Sequence, residues 1–182
     1  FLVTGGYSVD GYSLEHPNFF ILIEDLPQYP AWQFENGIKL NLWEHQRELP
    51  LVKTINYLTA IKLAETRKKL EVQDTLYFYN DKILECTRNN FFLFHDDTLV
   101  TAEKNVLQGI TRKTVLELAI NKFKVEIRGV LLSELDHCTE CFITGSTRGV
   151  CPVVSINDEN IKDGKVGMHT KKLMDLVLLS TK

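Results

Sequence analysis

The chain has 182 residues, of which 44% are hydrophobic and 25% charged, with a formal net charge of −3. This is the composition of an ordinary soluble globular protein, long enough for one sizeable domain or one domain and part of another. It carries no electrostatic footprint for nucleic acid or a membrane surface, and no apolar run approaches the roughly 20 residues of a membrane span.

In chain order, residues 1–26 read as two strands, Phe1–Thr4 and Phe19–Ile23, around the turn-rich loop Gly5–Tyr12. The chain starts with Phe1 inside a strand and shows no basic region of a signal peptide, so it is expected to continue further N-terminally. Pro27 and Pro30 mark a linker, and Gly37–Leu42 alternates as a strand. Asn56–Leu70 predicts a helix, because Tyr57, Leu58, Ile61 and Ala64 recur at helical spacing and Arg67-Lys68-Lys69 suit a helix C-terminus. Two strand pairs follow: Thr75–Tyr79 with Lys82–Leu84 around Asn80-Asp81, then Asn90–His95 with Thr98–Val100 around Asp96-Asp97. Arg112–Asn121 predicts a second helix with Val115, Leu116, Leu118 and Ala119 on its apolar side. Lys124–Arg128 reads as a strand, Ser133–Leu135 as a short helix, and Cys141–Thr144 and Val150–Ile156 as strands. Thr170–Leu179 closes the chain as an amphipathic helix. Helices and strands are mixed without the strict alternation of a doubly wound sheet, which predicts an α+β fold.

Four cysteines occur, Cys86, Cys138, Cys141 and Cys151, and two of them form a single Cys-x-x-Cys. A zinc site needs a second pair or two suitably spaced histidines. A thioredoxin-like motif belongs at a strand-to-helix turn early in a βαβ unit, and this one lies late in the chain. The expectation is therefore free thiols in a cytoplasmic protein.

Four separated segments carry more weight together than alone. Lys53 sits in the apolar stretch Leu51–Ile55 ahead of a helix, and Glu85 ends a strand. Gly109-Ile110-Thr111-Arg112 opens a helix, and Gly145-Ser146-Thr147 follows a strand. Singly, a lysine beside apolar residues snorkels to solvent, Glu85 is a surface or capping carboxylate, Thr111 is an N-cap, and Gly145-Ser146-Thr147 is a turn. Jointly, they supply an amine that apolar surroundings keep nucleophilic, a carboxylate for a pyridine nitrogen, and a helix N-terminus with hydroxyls for a phosphate. These are the needs of a pyridoxal-phosphate enzyme.

In order and spacing, from about Val52 to Met174, the segments resemble the class IV aminotransferase family, also called fold type IV. The family includes branched-chain aminotransferases, D-amino acid aminotransferases and aminodeoxychorismate lyases. The resemblance rests on Lys53–Leu58, Glu85 with Asn90-Phe91, Gly109–Arg112, Phe142–Thr147 with Pro152-Val153, and Asp163–Gly167 with Thr170. It implies a barrel-like large cofactor-binding domain over residues 31–182. Residues 1–30 would be the last strands of a smaller α/β N-terminal domain and its linker.

For the site, the resemblance implies pyridoxal 5'-phosphate held by Lys53 through a Schiff base, Lys53 then moving a proton on the substrate. Glu85 would bond the pyridine nitrogen and Tyr57 would lie near the phenolic oxygen. Ile110 and Thr111 would hold the phosphate chiefly through backbone amides, and Ser146 would add a contact. Thr147 lies where an amide holds the substrate carboxylate. Arg88 departs from the small residue of the family's pattern; it either adds a substrate or phosphate contact or points away. The family's phosphate-binding arginine would precede residue 1. Relatives are homodimers with the site near the subunit interface, so at least a dimer is expected.

Within the family, the D-amino acid enzymes carry an arginine and a histidine where this chain has Thr4–Tyr12, which contains neither. Asn56-Tyr57-Leu58 resembles branched-chain enzymes and implies transfer of an amino group between an L-amino acid and a 2-oxo acid. Aminodeoxychorismate lyase, which eliminates pyruvate to leave 4-aminobenzoate, is the alternative. A truncated, non-catalytic relative is the third.

Overall fold

The computed structural model describes residues 1–180; residues 181–182, the end of the expected large domain, lie outside the described residues. At the start, β1 (Leu2–Thr4) pairs antiparallel with β2 (Asn18–Phe20), Leu2 opposite Phe20. The second strand stops earlier than its apolar run predicts. Phe20 is its last paired residue, and Ile21, Leu22 and Ile23 are exposed outside any strand. A short helix that the sequence reading did not anticipate, α1 (Trp32–Glu35), follows Pro30.

The rest is built on a ten-stranded sheet. Its strands are β3 (Ile38–Glu44), β4 (Asp74–Tyr79), β5 (Lys82–Cys86), β6 (Asn90–His95), β7 (Thr98–Ala102), β8 (Lys124–Arg128), β9 (Val130–Leu131), β10 (Glu140–Gly145), β11 (Gly149–Ile156) and β12 (Glu159–Asn160). The order β6-β10-β11-β3-β4-β5 returns on itself, because Glu85 of β5 pairs with Asn90 of β6. A barrel results, closed between β5 and β6. β7 and β8 extend from β6, β9 from β5, and β12 from β11. The turn between β4 and β5 is Asn80-Asp81, with φ of 47° and 57°; two successive left-handed residues match the twist of a tight hairpin.

Four longer helices accompany the barrel: α2 (Leu58–Lys62) and α3 (Ala64–Lys69), which flank Leu63, and α4 (Ile110–Ala119) and α5 (Met168–Ser180), which pack on each other and on β10. The single helix expected over Asn56–Leu70 is broken at Leu63. That side chain is 1% exposed and packs with Tyr77, Leu84, Ala102 and Val106, so burial of Leu63 outweighs helix continuity. The start of α5 is held by Glu140 of β10, whose carboxylate accepts bonds from the His169 and Thr170 amides at 3.0 and 2.7 Å.

Alternation along the strands divides the core in two. Phe91, Leu93, Cys141 and Ile143 join the cluster with Ile38, Leu40, Leu76 and Val153. Phe92, Phe94 and Phe142 face the other way, onto Val115 and Ala119 of α4 and Leu173 and Val177 of α5. Both faces of β6 are thus buried, which explains the unbroken apolar run Phe91–Phe94. Phe92 and Phe142 stack at 4.8 Å in this second layer. Replacing the fully buried Phe142 with Ala should cost about 3–5 kcal/mol through lost burial and the cavity left behind. A urea unfolding curve checks this: the midpoint should fall with little change in slope.

Candidate active site

The site grows from the place where the barrel closes. Glu85 pairs with Asn90 across β5 and β6, and its side chain is 5% exposed. Oε1 accepts from Arg47 Nε at 2.9 Å and stands 2.7 Å from Arg47 Nη2. Oε2 accepts from the Leu107 amide at 3.0 Å and from Asn90 Nδ2 at 3.3 Å. Burial pushes the Glu85 pKa above the ordinary carboxylate value; the Leu107 N–H, the Arg47 guanidinium and the nearby Lys53 charge pull it back.

Arg47 does a second thing. Its Nη1 donates to the Val52 carbonyl at 3.1 Å and its Nη2 to the Pro50 carbonyl at 2.5 Å. One guanidinium therefore ties Glu85 to the loop that ends at Lys53. Sequence reasoning missed Arg47. Nothing in the local pattern Glu44–Pro50 separates it from a solvated charge, since its partners lie on β5 and in a loop five residues on.

Lys53 does not sit in the apolar surroundings expected of it. It is exposed, and so are its neighbours Leu51 and Val52, at 66% and 53%. Lys53 nonetheless lines one cleft with Tyr57, Glu85, Arg88, Asn90 and Leu107. Arg88 is exposed and stands over the Tyr57 ring at 4.8 Å from its centroid, a cation–π contact that turns its charge towards the cleft rather than away.

The other expected residues lie on two turns outside that lining. Ile110 is exposed and Thr111 half-buried in the first turn of α4. Thr111 is not the N-cap: Gly109 occupies that position in an extended conformation, with no side-chain cap bond, because the chain enters the helix two residues earlier than the sequence pattern suggests. Ser146 and Thr147 are exposed in the turn after β10, with the Thr147 hydroxyl 3.3 Å from the Tyr29 hydroxyl of the linker.

Both turns are drawn to the β5–β6 connection through glycine. A Cβ at Gly109 would lie 2.4 Å from Asn90 Oδ1, and one at Gly145 would lie 2.4 Å from Asn89 Oδ1. A second buried carboxylate, Asp74, fixes that connection: it accepts from Thr87 Oγ1 at 2.6 Å and Asn89 Nδ2 at 2.9 Å. Asp74 was also missed, for the same reason as Arg47.

With a raised folded pKa, Glu85 binds its proton more tightly in the folded chain than in the unfolded one. Its contribution to stability then falls as pH rises from the ordinary glutamate value towards the folded one. Urea unfolding of wild type and Glu85→Gln between about pH 4 and about pH 7 tests this. The advantage of the wild type over the variant should shrink with rising pH; a difference that stays flat or grows would show that Glu85 is not desolvated in solution.

The model of the family amino-transferase class IV matches residues 1–156. A probable branched-chain-amino-acid aminotransferase of Rickettsia typhi is 31% identical over 165 residues, covering 86% of this chain and 56% of the relative. The branched-chain amino acid aminotransferase structure from Escherichia coli superposes with a TM-score of 0.69 at 24% identity, covering 77% of this chain and 51% of that one. The structure of 4-amino-4-deoxychorismate lyase from Pseudomonas aeruginosa gives a TM-score of 0.83 at 26% identity, over 95% of this chain and 67% of that one. The chain spans about half the length of the curated relatives it matches. Its barrel is that of fold type IV, and the chain belongs to the class IV aminotransferase family.

Proposed function

We propose that the protein is a pyridoxal 5'-phosphate-dependent aminotransferase that moves an amino group between a branched-chain-like L-amino acid and a 2-oxo acid. One observation carries the reading: an accessible amine, Lys53, and a buried carboxylate, Glu85, face one cleft, and Arg47 bonds both Glu85 and the loop before Lys53.

The residues fit the cofactor. The first turn of α4 offers amides beside the exposed Ile110, and Ser146 offers a hydroxyl. Thr144, buried one residue before Gly145, has a hydroxyl without a hydrogen-bond partner in the protein. Of the four bonds to Glu85, the one from Asn90 at 3.3 Å is the longest, so Oε2 is the oxygen most easily shared with a further donor.

Pyridoxal phosphate, when bound, supplies an electron sink for the substrate carbanion. Lys53 Nζ would hold the cofactor and then carry the proton to and from the substrate carbon. Glu85 would accept the hydrogen bond of the ring nitrogen, with Arg47 and the Leu107 amide opposing the effect of its burial. Tyr57 would lie by the phenolic oxygen, with Arg88 poised over its ring. Ile110, Thr111 and Ser146 would hold the phosphate, and the Thr147 amide the substrate carboxylate.

In this reading residues 1–30 belong to a smaller domain and its linker, supported by the separate β1–β2 sheet, and the barrel from residue 31 onward is the cofactor domain. The exposed apolar side chains Leu51, Val52, Ile55, Leu58 and Ile61 around the site support a second copy packing there, as the resemblance to homodimers implies. All four cysteines are free, which supports a cytoplasmic location. No helix among the described residues is long and apolar enough to cross a membrane.

A second reading, aminodeoxychorismate lyase, is favoured by one finding: the lyase structure from Pseudomonas aeruginosa superposes over more of the chain and with a higher TM-score than the E. coli aminotransferase. Full-length protein given cofactor, L-leucine and 2-oxoglutarate should form glutamate. Lys53→Ala should lower that rate by at least about 10²–10⁴-fold, the range of a lost general acid–base group. Absence of glutamate with pyruvate released from aminodeoxychorismate would establish the lyase instead; equal activity of Lys53→Ala would overturn both.

A further inference from the structure

The Cys-x-x-Cys is the one motif of the sequence that the proposed reaction does not use. Cys138 follows the 3₁₀ turn Leu132–Asp136, and Cys141 is the second residue of β10. Their sulfurs lie 3.4 Å apart. A disulfide would close that gap to about 2.05 Å. No group of three or more metal-ligating side chains occurs among the described residues, so the pair is not part of a wider cluster.

Both thiols are buried, at 5% and 2% exposure, and only one of them reaches a groove. Cys138 lines a groove of about 1300 Å³ between the 3₁₀ turn and the β11–β12 hairpin, together with Leu132, Leu135, Asn157 and Ile161; Cys141 does not line it. They also differ in acidity. The hydrogen bond to Cys141 holds the Cys138 thiol below its ordinary pKa, whereas burial pushes Cys141 well above it. Cys86 and Cys151 are buried elsewhere, and burial raises both. A sulfur on a groove beside a second thiol that does not reach it is the arrangement of an attacking and a resolving cysteine.

We propose that Cys138 and Cys141 are a reversible disulfide site that reacts with a low-molecular-weight disulfide entering this groove. The Cys138 thiolate attacks one sulfur of the small disulfide, forming a mixed disulfide and releasing one small thiolate. Cys141 then attacks the Cys138 sulfur, passes its proton to solvent base, and displaces the second small thiol. Protein dithiol plus one disulfide gives protein disulfide plus two small thiols. The pair lies at the start of β10, and the Gly145-Ser146-Thr147 turn lies at its far end. The oxidised form would tie the 3₁₀ turn to that strand. Transient, redox-responsive disulfides are the kind found in reducing compartments.

Incubation of the native full-length protein with excess glutathione disulfide, followed by acid quench, alkylation and mass mapping, tests the site without reading activity. Wild type should lose two of its four thiols and two hydrogens of mass, with Cys138 joined to Cys141, and dithiothreitol should restore both. Cys141→Ser should instead stop at a glutathione adduct on Cys138. Retention of all four thiols by native wild type, under conditions where urea-unfolded protein reacts, would overturn the proposal. So would loss of Cys86 or Cys151 before Cys138. The wild-type map decides the matter even if the serine variant fails to fold.

Discussion

A single buried carboxylate organises this chain. Glu85 closes the barrel through its backbone pairing with Asn90, and its two oxygens take four bonds from three parts of the chain. A charge taken out of water is tolerable only when its lone pairs are filled and an opposite charge stands close. Arg47 meets the charge, and the Leu107 amide and Asn90 fill the other oxygen. Because Leu107 begins the turn into α4 and Arg47 also holds Pro50 and Val52, satisfying Glu85 fixes both the helix entry and the lysine loop. Barrel closure and site geometry are the same set of bonds.

Close approach of backbone to backbone is the second constraint. The turns before α4 and after β10 reach the β5–β6 connection only because Gly109 and Gly145 have no Cβ to strike Asn90 and Asn89. Asp74 holds the same connection from β4. The segments that the family resemblance marks as a phosphate cradle and a carboxylate site thus converge on one corner of the barrel. Lys53 differs from all of these: it is on an exposed loop beside exposed apolar residues, and Arg47 is what orders the loop.

Much of the fold was legible in the chain itself. Strands β3 to β8, β10 and β11 and helices α4 and α5 fall where alternation, turn residues and helical spacing put them, within two residues at their ends. The misreadings have tertiary causes. Leu63 breaks a periodic helix because the core takes its side chain. The two-residue strands β9 and β12 carry no period to read and exist only through their partners. In the site, Lys53, Tyr57, Glu85 and Arg88 were legible and share a cleft, whereas Arg47 and Asp74 were not.

By itself the sequence determined the family, the element order and the chemical types on offer: an amine, a carboxylate, a helix opening after glycine and a hydroxyl turn. Spacing along a chain suffices for these, because period and turn chemistry are local. Only the tertiary structure decided that Glu85 is buried and Lys53 exposed, that Gly109 rather than Thr111 begins α4, and that Arg47 bonds to both the carboxylate and the lysine loop. It also brought the sulfurs of Cys138 and Cys141 to 3.4 Å with only the first on a groove. Desolvation and ion pairing depend on what packs around a group from distant parts of the chain, and barrel closure is what sets those neighbours.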